Sequence, residues 1–199
     1  MICILICKRM LNTYIGKKGY TVSKKELGEQ KVKKLKEDLI AKPHTQGAQY
    51  GVQQNVGFPV FRESSSKVYM PRYYGIEHFG EPKDCRIEEG NDINLDFQGG
   101  LRDNQKPVVK SYLDMVTKSD IGGSGLLELP CGFGKTCLAL YICSQLNKKT
   151  LIIVHKEFLM NQWIERIQQF LPNARVGKIQ GQTIDIDDKD IVIGMLQSL

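Results

Sequence analysis

The residues richest in chemistry read Leu129-Pro130-Cys131-Gly132-Phe133-Gly134-Lys135-Thr136. A G-x-G-K-T run of this kind can wrap an anion, because Gly132 and Gly134 let backbone N–H groups close on a phosphate with no Cβ in the way. Lys135 would then reach β and γ phosphates, and Thr136 would ligate Mg2+. The longer G-x-x-x-x-G-K-[ST] pattern lacks its leading glycine, since Leu129 stands there. Context therefore has to carry the reading. Residues 126–129 read as a short apolar strand, and Lys135 to Leu146 as a helix with Leu138, Ile142 and Leu146 on one face. A strand, a glycine-rich loop and a helix in that order place the loop at a helix N-terminus, where the dipole and unpaired N–H groups favour negative charge.

The surrounding elements repeat the same grammar. Residues 150–154 form a continuous apolar run, as in a strand covered on both faces. The span 157–170 has Leu159, Trp163, Ile167 and Phe170 at helical core spacing. Strands are expected over 174–179 and 190–195. Alternating strands and helices of these lengths predict an α/β fold with a parallel sheet from residue 96 onward.

Residues 1–95 are written differently and predict a small basic α+β accessory module. A short hairpin is expected over 13–22, around Gly16-Lys17-Lys18-Gly19. Ser23 followed by Glu26 is a capping-box signature for a helix to about Ala41. Leu27, Val32, Leu35 and Leu39 give that helix a narrow apolar stripe, leaving Lys24, Lys25, Lys31, Lys33, Lys34 and Lys36 largely facing solvent. Pro43 stops the helix, and 44–57 reads as a loop. Strands are expected over 58–62 and 67–69. The run Met70-Pro71-Arg72-Tyr73-Tyr74-Gly75 sets two aromatics beside an arginine, which can stack on nucleobases or pack the module against its neighbour.

Charge follows the same division. The 199 residues carry a formal net charge of +6. The first 50 hold 11 Lys and Arg against 4 Asp and Glu, so the excess positive charge sits there. That is the pattern of a segment meeting a polyanion, or of a solvated lysine-rich helix face. With 41% apolar and 25% charged residues the chain has an ordinary globular balance, which argues against wholesale disorder. The apolar run 2–7 is too short to span a bilayer, and its basic residues follow it, unlike a signal peptide. An intracellular, soluble protein is expected. The six cysteines include no C-x-x-C with a second Cys or His pair, so they read as small buried hydrophobes in a reducing compartment.

The phosphate-loop wording resembles that of superfamily 2 helicases, especially the group related to the XPB repair and transcription helicase. Residues 101–199 are most similar to helicases of large nucleocytoplasmic DNA viruses, of the poxvirus transcript-release type. The resemblance implies an incomplete first RecA-like domain over 96–199. It assigns ATP and Mg2+ as cofactors, with Pro130, Cys131, Gly132, Phe133, Gly134, Lys135 and Thr136 around the phosphates and Lys135 and Thr136 as catalytic groups. Leu101-Arg102-Asp103-Asn104-Gln105 is similar to the adenine-recognition motif of these proteins. There Gln105 would donate to and accept from the base edge while Arg102 stacks on or braces it. The alternative is that both residues cap a helix beginning near Gln105 or Lys106.

Three further segments occupy the places of nucleic-acid contact motifs. His155 and Lys156 follow one strand. Gly181 closes the stretch Gly177-Lys178-Ile179-Gln180-Gly181, and Gln197 and Ser198 close Gly194-Met195-Leu196-Gln197-Ser198. Each, alone, reads better as an ordinary strand-to-loop junction; it is their order after the phosphate loop that favours the contact motifs. The implied partner is DNA, with RNA or a DNA–RNA hybrid as alternatives, together with viral transcription machinery. The implied setting is host cytoplasm, viral factory or virion.

The family's Asp-Glu-x-His strand is not found in these residues: no Asp-Glu pair occurs after Gln105, and Asp187-Asp188 lies in a loop-like acidic run. The expectation is the N-terminal part of an ATP-dependent DNA helicase or translocase, inactive by itself without that motif and a second lobe. The rival is a truncated, catalytically inactive module that binds nucleic acid or a partner. A small kinase is disfavoured, because Arg166 and Arg175 are the only arginines after Lys135 to serve a lid.

Overall fold

The computed structural model describes residues 11–42, 57–118 and 123–199. The opening apolar run with Cys3 and Cys7, and nearly all of the expected loop over 44–57, lie outside them. Internal contacts divide the chain into two compact units, one ending at Glu88 and one running from Glu89 to Leu199. The boundary expected after residue 95 falls inside the second unit. There the Ile93 N–H donates to the Asn147 carbonyl at 2.9 Å, and Leu95 is buried in the core.

The first unit is built on a mixed sheet. Strands β1 (Tyr14–Gly16) and β2 (Gly19–Ser23) form the expected hairpin around Lys17-Lys18. Helices α1 (Lys24–Leu27) and α2 (Glu29–Asp38) follow, then β3 (Ile40–Ala41), β4 (Phe58–Pro59), β5 (Arg62–Glu63), β6 (Lys67–Met70), helix α3 (Arg72–Phe79) and β7 (Asp84–Cys85). The sheet order is β5-β6-β2-β1-β7, antiparallel except for the β1–β7 pair. Ile15, Tyr20, Val22, Val68 and Met70 make its buried side.

The expected single helix to Ala41 is broken and shortened, and the capping box is not made. Ser23 is held in the sheet opposite Lys67, so its side chain caps nothing, and the Glu26 carboxylate accepts from the Asn12 N–H at 3.2 Å instead. Gly28, at φ +77° and ψ 157°, interrupts the helix. The helix then stops at Asp38 because Ile40 and Ala41 pair with Pro59 and Phe58. Lys24 and Lys36 do not simply face solvent: both bind the Glu63 carboxylate, at 2.8 and 2.7 Å.

The second unit contains α4 (Lys106–Thr117), α5 (Lys135–Leu146), β8 (Thr150–Val154), α6 (Glu157–Phe170), β9 (Val176–Gln180), β10 (Thr183–Asp185), β11 (Ile191–Met195) and a closing 3-10 turn at Leu196–Ser198. The sheet order is β10-β9-β11-β8, with β9, β11 and β8 parallel and β10 antiparallel. All five residues of β11 are buried, as a central strand requires. Leu140 of α5 and Met160 and Ile167 of α6 join Val154, Ile191, Ile193 and Met195 in one core. Val109 of α4 packs with Leu138 and Ile142 of α5 in a second. This is the α/β arrangement expected of a P-loop domain, and a small α+β unit precedes it in the chain.

Residues 126–129 are a correction. They keep the inside-outside alternation of a strand, with Leu127 and Leu129 packed against the α4–α5 core and Leu126 91% exposed. Yet no ladder forms along them. Alternation gives a strand its faces, but a ladder needs a neighbouring backbone to exchange hydrogen bonds with. No described strand supplies one.

Candidate functional site

The glycine-rich loop forms as a tight turn leading straight into α5. Gly132 sits at φ +77° and Gly134 at φ +91°, conformations in which an L side chain is strained. Gly134 is the N-cap of α5, and no side chain caps the helix. Its first N–H groups therefore point into the loop, where an anion can take them. A Cβ on Gly132 would meet nothing within 4 Å, so the loop is open on that side. Lys135 is exposed and donates from Nζ to the Pro130 carbonyl at 2.9 Å, folding back over the loop. Thr136 lies half-buried one position on. These residues fit a bound phosphate chain.

Gln105 is brought to this loop, but in an unexpected orientation. Its Nε2 donates to the Phe133 carbonyl at 2.7 Å and its Oε1 accepts from the Arg102 N–H at 2.9 Å. The residue is only 2% exposed. Its side chain does not cap α4, and its backbone N–H donates to the Arg102 carbonyl at 2.9 Å. Arg102 itself is exposed. The amide expected at a base edge is thus engaged in tying the turn before α4 to the phosphate loop, and Arg102 is the more accessible of the two.

The second set of expected residues gathers at one edge of the sheet. Strands β8, β9 and β11 run parallel and in register, Met195 opposite Val154 and Gly194 opposite Ile179. The residues after them therefore leave from the same end, the carboxyl end where α/β sheets present their ligand crevices. His155 and Lys156 follow β8, Gly181 follows β9, and Gln197 and Ser198 follow β11. All but the half-buried Ser198 are exposed. Two of these loops are joined directly, the Gly181 N–H donating to Ser198 Oγ at 2.9 Å. Gln180 also donates to the Glu157 carboxylate, at 3.2 Å. Sequence reading did not single out Glu157, whose sole signal is an acidic residue in the first turn of α6. Trp163 packs against the core, as helical spacing predicts.

Other residues are engaged elsewhere. Tyr74 stacks on His78 at 4.0 Å and donates to Asp38 at 3.3 Å, so one of the two aromatics of the 70–75 run packs within its own unit. Arg175 binds Asp190 through two guanidinium nitrogens, at 2.7 and 3.0 Å, and is committed to the sheet. Of the described cysteines, Cys85, Cys137 and Cys143 are half-buried, and burial pushes the Cys137 and Cys143 thiols up. Cys131 departs from the buried expectation: it is exposed on the phosphate loop. No described helix is long and apolar enough to cross a membrane.

Comparison with known proteins bears on the same segment. The family described as type III restriction enzyme, res subunit, matches residues 98–199. The chain is 33% identical over 194 residues to a protein of Acanthamoeba polyphaga mimivirus named "Putative ATP-dependent RNA helicase L396", covering 95% of this chain and 36% of that one. It is 33% identical over 105 residues to the DNA 3'-5' translocase XPB2 of Sulfurisphaera tokodaii, covering 50% of this chain and 22% of the translocase. The solved SWI2/SNF2 ATPase core of Sulfolobus solfataricus in complex with dsDNA superposes with a TM-score of 0.43 at 23% identity, covering 55% of this chain and 24% of that one. The chain thus spans about a third or less of the length of these relatives.

Proposed function

Because the chain belongs to the type III restriction enzyme res-subunit family of superfamily 2 helicase domains, we propose that it is the N-terminal part of an ATP-dependent DNA helicase or translocase. In this reading residues from about 89 onward bind ATP, and the preceding unit is an accessory module. The observation that carries it is the loop 130–136, two left-handed glycines delivering an uncapped helix start beside an exposed lysine.

The bound Mg2+–ATP would supply the reactive phosphoanhydride. Gly132 and Gly134 shape the backbone cradle, Lys135 exchanges the Pro130 carbonyl for phosphate oxygens, and Thr136 offers its hydroxyl to the metal. Gln105 holds the cradle in place while Arg102 meets the base. His155, Lys156, Gly181, Gln197 and Ser198 line the sheet edge on which one strand's phosphates would lie. DNA is the proposed polymer, with RNA or a hybrid as the alternative, and viral transcription machinery the proposed setting.

Among the described residues no Asp-Glu pair ends an apolar strand: Asp187 and Asp188 lie in the turn between β10 and β11, and Asp188 adopts φ +53°. These residues alone therefore bind ATP without turning it over at a useful rate. The test is titration with a fluorescent ATP analogue. Saturable, Mg2+-dependent binding that Lys135→Ala abolishes supports the reading. Binding that is absent, or indifferent to Lys135, removes it and leaves the nucleic-acid-binding or partner-binding module as the better account.

A further inference from the structure

The sheet of the first unit is buried on one face, and the other carries a row of rings and cations. Tyr14 stands opposite Thr21, Thr21 opposite Tyr69, and Tyr69 opposite Arg62, so the four share one face across four strands. Ile15, Tyr20, Val22 and Val68 alternate with them onto the buried face, each at 1% exposure or less. Thr21 is itself covered, at 1% exposure, while Tyr14 and Tyr69 remain half-buried and Arg62 exposed.

Each tyrosine carries cations. Lys18 Nζ lies 5.0 Å from the Tyr69 ring centre, and the Arg86 guanidinium 3.8 Å from that of Tyr14. Lys67 lies 5.2 Å from the Tyr14 ring and donates to its hydroxyl at 3.3 Å. Asp84 answers this charge by binding Arg86 at 2.7 Å. Glu63 points the other way, toward Lys24 and Lys36. Among the described residues the face thus gathers Lys18, Arg62, Lys67 and Arg86 against the Asp84 carboxylate. Beside it runs a groove of about 350 Å³ lined by Lys18, Phe61, Arg62 and Tyr69, between Pro59 and Pro71.

Rings that offer a π face, flanked by cations with little opposing charge, suit a polymer of stackable bases joined by phosphates. We propose that this face binds single-stranded nucleic acid. A base stacks in the groove against Tyr69, and the adjoining phosphates meet Lys18, Arg62, Lys67 and Arg86. The site lies outside the residues that match the helicase family, and it stands or falls independently of the phosphate-loop reading. The charge count pointed to residues 1–50, whereas three of these four cations, Arg62, Lys67 and Arg86, lie beyond them.

The test is fluorescence anisotropy of the full 199-residue chain with a labelled oligothymidylate and with a duplex, across a salt series. Lys18→Gln with Arg62→Gln, both exposed, should weaken single-strand binding about tenfold or more. It should also flatten the dependence of log K on log salt by about 1.4, two phosphate contacts at about 0.7 each. Tyr69→Leu should cost about five- to tenfold with the slope unchanged. The same charge change on α2, Lys33→Gln with Lys34→Gln, should stay within twofold. Equal losses from the sheet-face and α2 pairs would overturn the assignment. So would an unaffected sheet-face pair, no oligonucleotide binding at low salt, or binding confined to anionic vesicles. Lys18 and Arg62 are exposed, so their variant tests the site even if Tyr69→Leu fails to fold.

Discussion

The side-chain amide of Gln105 holds the main-chain carbonyl of Phe133, 28 residues later, at 2.7 Å. Its other end receives the Arg102 N–H at 2.9 Å. One buried side chain therefore fixes the position of the phosphate loop relative to the turn before α4. A base-edge role would have to share or break these bonds, and would thereby release the loop from the turn before α4.

Gln105→Ala leaves the Phe133 carbonyl and Arg102 N–H without their partner, at a cost of about 1–3 kcal/mol in stability. Nucleotide affinity should fall about tenfold, and inorganic triphosphate, which has no base, should lose affinity as well. A variant that binds triphosphate normally while losing ATP would place Gln105 at the base instead of behind the loop. Paired titrations of the two ligands distinguish these outcomes.

The two loop glycines should not respond alike. Gly132→Ala meets open space and carries only the strain of φ +77°, about 1 kcal/mol. At Gly134 the strain of φ +91° is compounded, because the new methyl would sit 2.7 Å from Gln105 Nε2. Either Gln105 releases Phe133 or the loop moves, adding about 1–3 kcal/mol. Thermal melts and ATP-analogue titrations should rank Gly134→Ala clearly below Gly132→Ala. Equal behaviour would mean that Gln105 yields freely and does not hold the loop.

Local pattern announced some of this architecture and was silent on the rest. Helices α5 and α6 and strand β8 occupy the spans that apolar pattern marks, but only the helices bury their stripes: β8, expected to be covered on both faces, stands at the end of the described sheet and leaves Leu151 and Ile153 exposed. Ser23 misled because its backbone is claimed by β6, a partner 44 residues away that no capping signature registers. Residues 126–129 have a strand's alternation without a strand's neighbour. Helix α3 went unread since Tyr73, Tyr74, Ile76 and Phe79 make no single stripe. In the candidate site the residue types were legible, while the direction of the Gln105 amide depends on Phe133, a contact with no local trace. The ring-and-cation row of the first sheet arises from strand register, which composition hides.

Helix α3 is held by its glycine. A Cβ on Gly75 would fall on the Tyr20 ring, itself fully buried, with its hydroxyl donating to the Gly80 carbonyl at 2.9 Å. Gly75→Ala should therefore destabilise the first unit by about 1–3 kcal/mol through overpacking, whereas Gly90→Ala, where the new methyl meets nothing within 4 Å, should be near neutral. Hydrogen exchange localises the effect: protection should drop over β2 and α3 and hold over β8, β9 and β11. Uniform loss across both units would contradict a local origin at the Gly75–Tyr20 contact.

The Arg175–Asp190 clamp gives the second unit a pH signature. Asp190 is 6% exposed, and its carboxylate takes the Arg175 backbone N–H at 2.8 Å as well as the guanidinium. Asp190 also ties the strands together, its carbonyl accepting from the Thr150 N–H at 3.0 Å. The Arg175 side-chain hydrogen bonds hold the Asp190 carboxyl below the usual carboxylate range, against burial, which alone would raise it. A depressed carboxyl contributes stability that is fully present above its unfolded value, about 3.9, and lost as pH falls through the folded one. Asp190→Asn should thus cost about 2 kcal/mol at pH 7, and the gap between variant and parent should close as pH drops below about 4. Arg175→Lys, which keeps the charge and loses the two-pronged geometry, should fall between them. Urea unfolding from pH 7 to pH 3 reads all three chains, and a gap that stays constant over that range would show that the carboxylate's charge contributes nothing to the clamp.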